Sequence, residues 1–173
     1  MTRLPVLQLT LLFAAFSLIG CGKSGSVKDP NEEFSKKFPL ADLNKSLQLG
    51  LEGDIRTFDE DSNIPFYIYN RSNHDVFIDH NANTKLFTTL NSQWIEIENA
   101  ISYPDSLPLL AIGTPLLDSR YTWVRPVLRN ELLASTTENI MIRILILGEP
   151  LENDQGTGDL IGAYIDVFIK NPQ

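Results

Sequence analysis

One cysteine, Cys21, stands among 173 residues. A lone thiol closes no internal disulfide, so any folded body here must be held by its core. Histidine is almost as scarce, with only His74 and His80. Basic residues are in deficit, 14 Lys and Arg against 22 Asp and Glu, for a formal charge of −8. That deficit argues against nucleic acid, whose phosphates are held by Lys and Arg, and against a domain lying flat on anionic lipid. Long apolar runs are missing as well. The stretch from Leu4 to Ile19 is interrupted by Pro5, Gln8 and Thr10, which leaves Leu11 to Ile19 uninterrupted. A spanning helix needs about 20 apolar residues, so this run is too short for a comfortable membrane span.

What the first twenty residues do contain is an export signal: a positive head at Arg3, a short apolar core and the small residue Gly20 before Cys21. The tetrapeptide Leu18-Ile19-Gly20-Cys21 resembles the lipobox of bacterial lipoprotein precursors, with Ile19 bulkier than that family's usual residue. The resemblance implies a diacylglyceryl thioether on Cys21, cleavage before it and fatty acylation (palmitate among the acyl groups) of the new amine. It also implies an extracytoplasmic, lipid-anchored protein of the cell envelope. Gly22, where an Asp would retain the protein at the inner membrane of enteric bacteria, is compatible with outer-membrane sorting. In a host with a single membrane the same anchor places the domain on the outer face.

Removing residues 1–20 takes away Arg3 and leaves a formal charge of −9. Residues 21–45 are rich in Gly, Ser, Pro and mixed charge and read as a lipidated cysteine followed by a flexible tether. Phe34, Phe38, Leu40 and Leu43 are its only sizeable apolar side chains after Val27, enough for one weak helical turn on the domain surface as the alternative to a free tether.

From residue 46 to 171 the dominant pattern is period-two alternation, the mark of half-buried strands. Leu47, Leu49 and Leu51 share one face, as do Ile64, Phe66 and Ile68, Val76 and Ile78, and Ile95 and Ile97. Tyr121 is paired with Trp123. Ile140, Ile142, Ile144 and Ile146 line a longer strand whose Leu145 and Leu147 make its second half apolar on both sides. Ile161, Ala163, Ile165, Val167 and Ile169 line the last strand, opposite Tyr164, Asp166 and Phe168. Between residues 100 and 119, Pro104, Pro108 and Pro115 forbid a central strand, so this span reads as a crossover with a short edge strand or helical turn. Seven to eight strands with turns of this spacing predict an all-β, antiparallel sandwich. The stretches "IPFYIYNRSNHDVFI" and "MIRILILGEP…GDLIGAYIDVFI" resemble strands of bacterial immunoglobulin-like domains. That resemblance implies an immunoglobulin-like β-sandwich over residues 46–171 and no particular activity.

Chemistry-bearing motifs are few. "GKS" at residues 22–24 lacks the earlier glycine of a phosphate loop, and "GTGDLIG" places Ile161 where a dinucleotide fingerprint needs glycine. No G-x-S-x-G elbow occurs, and neither histidine points to a triad. A non-enzymatic protein is the expectation. Two acidic stretches, Asp54 to Asp61 and Glu149 to Asp159, depart from the calcium-loop spacing. They read as hairpin tips, so no metal or cofactor is assigned beyond the lipid on Cys21, with calcium the remaining candidate.

Immunoglobulin-like strand order sets the last hairpin beside the turn of residues 70–75. The candidate binding end is therefore Arg71 and His74 facing Glu152 and Asp154. The expected function is an envelope binding or structural module with a protein partner, membrane-held through its lipid. A peptidase inhibitor presenting residues 103–115 is the alternative, and an envelope hydrolase a third.

Overall fold

The structure is a computed structural model and describes residues 30–40, 42–51, 53, 55–103, 109–113, 115–116 and 123–172. Cys21 and the lipobox lie outside the described residues, as do Asp54, Pro104, Pro108 and Tyr121. In chain order the elements are α1 (Pro30–Lys37), β1 (Leu47–Leu51), β2 (Thr57–Phe58), β3 (Ile64–Asn70), β4 (Val76–Phe77), α2 (His80–Asn83), β5 (Thr84–Leu90) and β6 (Gln93–Ile97). Then come β7 (Leu109–Leu110), β8 (Pro115–Leu116), β9 (Trp123–Val124), α3 (Asn130–Leu133), β10 (Ile140–Glu152), β11 (Gln155–Gly156) and β12 (Ile161–Ile169). No helix among the described residues is long and apolar enough to cross a membrane.

The fold is an all-β sandwich. In the first sheet β3 lies between β1 and the short strands β8 and β9. In the second, β10 lies between β12 on one side and β5 and β4 on the other; β6 extends β5 and β7 extends β4. Alternation on each strand places the core. Ile64, Phe66 and Ile68 from one sheet meet Ile142, Ile144, Ile146, Val167 and Ile169 from the other, all buried. The long hairpin of β10 and β12 keeps its two apolar rows in register, with Ile140 opposite Ile169 and Ile146 opposite Ala163.

Three expectations are corrected. The sheets are not wholly antiparallel: after β1 the chain crosses to the second sheet, where β2 runs parallel to β12, Thr57 opposite Phe168. Of the strand expected around Tyr121 and Trp123 the structure describes Trp123–Val124, where Val124 is the inward residue, opposite Ile64, and Trp123 is half-buried.

The third correction is the largest, because residues 30–45 are not a free tether. α1 packs on the outer face of the second sheet with Phe34 fully buried, and Phe38, Leu40 and Leu43 follow it down the sheet. Asn44 donates its backbone N–H to Gly162 O (2.8 Å), and its side-chain Oδ1 accepts from Tyr164 N (2.7 Å). The cause is the composition of the sheet's outer face. Phe87, Trp94, Leu145, Leu147 and Tyr164 form an apolar layer there that water would otherwise wet, and covering it contributes about 1.5–3 kcal/mol per large side chain.

That covering layer also holds a buried cation. Arg143, 2% exposed, is held by Asp166 through two 2.7 Å hydrogen bonds, and Nη2 also donates to Asn31 Oδ1 (2.8 Å). Its guanidinium lies 3.9 Å from the Tyr164 ring centre, 4.5 Å from that of Trp94 and 4.6 Å from that of Phe34. Nη1 has no hydrogen-bond partner among the described residues, and the ring faces supply the attraction there.

Candidate functional site

β10 runs the whole length of the body, from Ile140 at one end to Glu152 at the other, roughly 40 Å at strand rise. α1 begins at the first of these ends, where Asn31 meets Arg143. At the opposite end two turns meet. Leu151 N donates to Asp75 O (2.8 Å), which extends the β4–β10 ladder and joins the hairpin tip to the turn of residues 70–75.

Both turns are built by local chemistry. Asn70 is fully buried, and its side chain closes the first: Nδ2 donates to His74 O (2.8 Å) and Leu110 O (3.0 Å). Its Oδ1 accepts from Ser72 N (2.9 Å) and Ser72 Oγ (2.7 Å). In the second, Asn153 and Asp154 adopt φ of 51° and 62° between the paired residues Glu152 and Gln155. Two residues at positive φ make the turn that fits strand twist, and Asn and Asp tolerate that conformation.

An open pocket of about 450 Å³ lies between the turns, lined by His74, Asp75, Ile112, Leu151, Glu152 and Asp154 among others. Three of the four residues expected at the binding end therefore share one concavity. Arg71 does not line it: its guanidinium stacks over Tyr69, 5.6 Å from the ring centre. Asp75 and Ile112 were missed from the sequence. Asp75 Oδ1 accepts from Ile112 N (3.2 Å), which ties the crossover to the turn. Among the described residues no group of three His, Cys, Asp or Glu side chains is arranged to hold a metal ion. Of the first acidic stretch, Asp59 is at the α1 end and pairs with Lys170 at 2.9 Å.

A second concavity, about 840 Å³, lies at the α1 end between the β5–β6 turn and α3. Thr89, Asn91, Ser92, Gln93 and Asn139 line it, and Glu33 is the one ionisable side chain among the described residues there. This cleft offers hydrogen bonds and no acid–base pair. Asn91 and Ser92, at φ of 50° and 62°, close it with a second two-residue turn.

The crossover that follows β6 starts at the other end of this hairpin and is pinned there. Tyr103, 5% exposed, exchanges hydrogen bonds with Asn81 (N to Oδ1 2.9 Å; O from Nδ2 3.1 Å) and donates its hydroxyl to Trp123 O (2.7 Å). Burial pushes that hydroxyl up to about 12, while the neighbouring polar side chains of Asn99 and Thr84 pull the other way. A pKa raised on folding is stability present below about pH 10, lost as pH rises through about 12. Alkaline urea titrations should show a loss on the order of 2 kcal/mol across that window. Tyr103→Phe should flatten it, and an unchanged slope would contradict this assignment.

Comparison of the chain with protein-family models, curated proteins and solved structures finds no match. Fold and geometry therefore define its class: an all-β sandwich with an outer strap and a pocket at the end opposite the strap's start.

Proposed function

We propose that this chain is a lipid-anchored, extracytoplasmic binding module of the bacterial envelope, without catalytic activity of its own, built on an immunoglobulin-like sandwich. The observation that carries the anchor is the lipobox-like Leu18-Ile19-Gly20-Cys21 at the end of a signal-like run. Strand neighbours support the immunoglobulin order. β3 sits between β1 and β8/β9 as strand B sits between A and E, and β10 between β5 and β12 as F sits between C and G.

The docked strap changes the geometry of anchoring. The docked helix α1 includes Pro30, nine residue steps from Cys21. They span at most about 32 Å whatever their conformation. The α1 end thus faces the membrane, and the His74–Asp154 pocket lies about 30 Å further out along β10. The charge of −9 resists tilting onto anionic lipid.

Cys21→Ala, expressed in a bacterial host with lipoprotein processing, tests the anchor. The wild type should sediment with membranes and carry the mass of a chain beginning at Cys21 with a diacylglyceryl group, with or without a further acyl chain on its amine, while the variant should leave the membrane fraction. A wild type that is soluble and carries a bare thiol would overturn the proposal.

One observation favours a second reading, a peptidase inhibitor. Leu109 and Ile112, within residues 103–115, are 51% and 53% exposed. An inhibitor would bind a protease stoichiometrically and survive uncut between residues 103 and 115. Ready cleavage there dismisses it.

A further inference from the structure

We propose that the outer end of the second sheet, at the β4–β7 edge, docks an extended segment of a second protein carrying alternating apolar and basic side chains. This deepens the binding-module reading and rests on it. Phe77 and Leu109 face one another across the β4–β7 ladder and are 40% and 51% exposed, and Ile112 beyond them is 53% exposed. Large apolar side chains grouped in this way mark an interaction surface. Among the described residues β7 is paired on one side only, by β4, which leaves an edge open to strand addition.

The surroundings select the occupant. Asp75 and Phe77 are alternate residues, opposite Leu151 and Glu149 on β10, so apolar and acidic side chains share one face. Glu152 and Asp154 extend the acidic rim, both exposed. A second copy of the chain would bring the same carboxylates against these. Anionic lipid would be repelled as well, and it lies at the other end of a lipid-anchored domain. A segment with apolar side chains on Phe77 and Leu109 and lysines or arginines beside Glu152 and Asp154 satisfies both features.

The test uses the full-length protein in nanodiscs of phosphatidylcholine, with two labelled peptides as probes, one alternating Leu and Lys and one alternating Leu and Glu. The Lys peptide should bind at least about tenfold more tightly, and more weakly at high salt as screening shortens. Amide shifts should fall on residues 73–77 and 109–113. Leu109→Asp is the decisive variant. It adds a negative charge, so general attraction for lysine would rise, whereas docking on the apolar pair should fall about tenfold, a change of about 1.4 kcal/mol. Glu152→Lys with Asp154→Lys should weaken binding similarly.

Equal binding of both peptides, no binding, shifts centred on residues 91–92, or undiminished binding to Leu109→Asp would each overturn the proposal. The intact mass of the same sample reports acylation of Cys21. A bare thiol with intact docking therefore defeats the anchor alone, and an acylated protein without docking defeats this surface alone.

Discussion

Asp166→Ala should destabilise the domain by about 3 kcal/mol, although its side chain is 28% exposed and lies on an outer sheet face. The reason is what it leaves behind. Arg143, with 3% side-chain exposure, would keep its charge beneath α1 with Asn31 still accepting from Nη2 but no carboxylate to balance it, and water would have to enter the aromatic layer to solvate it. The reverse substitution should be milder. Arg143→Met fills the space between Phe34, Trp94 and Tyr164 with an apolar chain, and Asp166 can turn to solvent; about 1 kcal/mol is the expected loss, since an apolar replacement of a buried pair is often close to neutral. Urea denaturation of the two variants measures the asymmetry. Equal losses would mean that the pair acts as a surface salt bridge.

Phe34→Ala should cost about 3–5 kcal/mol, the usual range for emptying a buried phenylalanine site. Phe34 is fully buried and its ring lies 5.0 Å from the centres of both Phe38 and Trp94 and 5.4 Å from that of Phe87. It also forms one wall of the Arg143 site at 4.6 Å, so the substitution opens a cavity beside a buried charge. A residue in a free tether would give no change. Thermal melts of Phe34→Ala beside Ser35→Ala, an exposed neighbour on α1, separate the two situations.

The strands were readable because their two faces differ. Ile140 to Ile146 and Ile161 to Ile169 alternate cleanly, and their register follows once both rows face one core. The strap's own residues suggest no more than one weak helical turn. Phe34, Phe38, Leu40 and Leu43 stand among lysines, glutamates and a proline, and a helix of eight residues has little propensity of its own. The available signal lay on the surface it covers. Leu145 and Leu147 make β10 apolar on both faces, with Phe87 and Tyr164 beside them, and such a face requires a cover. Arg143 gave no warning, because its partner Asp166 becomes its neighbour only through the hairpin register.

The far end shows the same division. His74, Glu152 and Asp154 come together because a strand order places one turn beside one hairpin. Arg71 follows Tyr69 onto the other sheet instead. Ile112 and Leu109 depend on where a proline-rich crossover returns, which no local pattern encodes.

Orientation on the membrane is the most direct measurement. Asn91→Cys and Asp154→Cys would each be labelled with a fluorescent donor on the acylated protein, whose own Cys21 thiol is blocked by its lipid, in vesicles carrying an acceptor at the bilayer surface. A short link to Pro30 predicts strong transfer from position 91 and weak transfer from position 154. Equal transfer from both, or stronger transfer from position 154, would contradict a domain anchored at its α1 end with its pocket held outward.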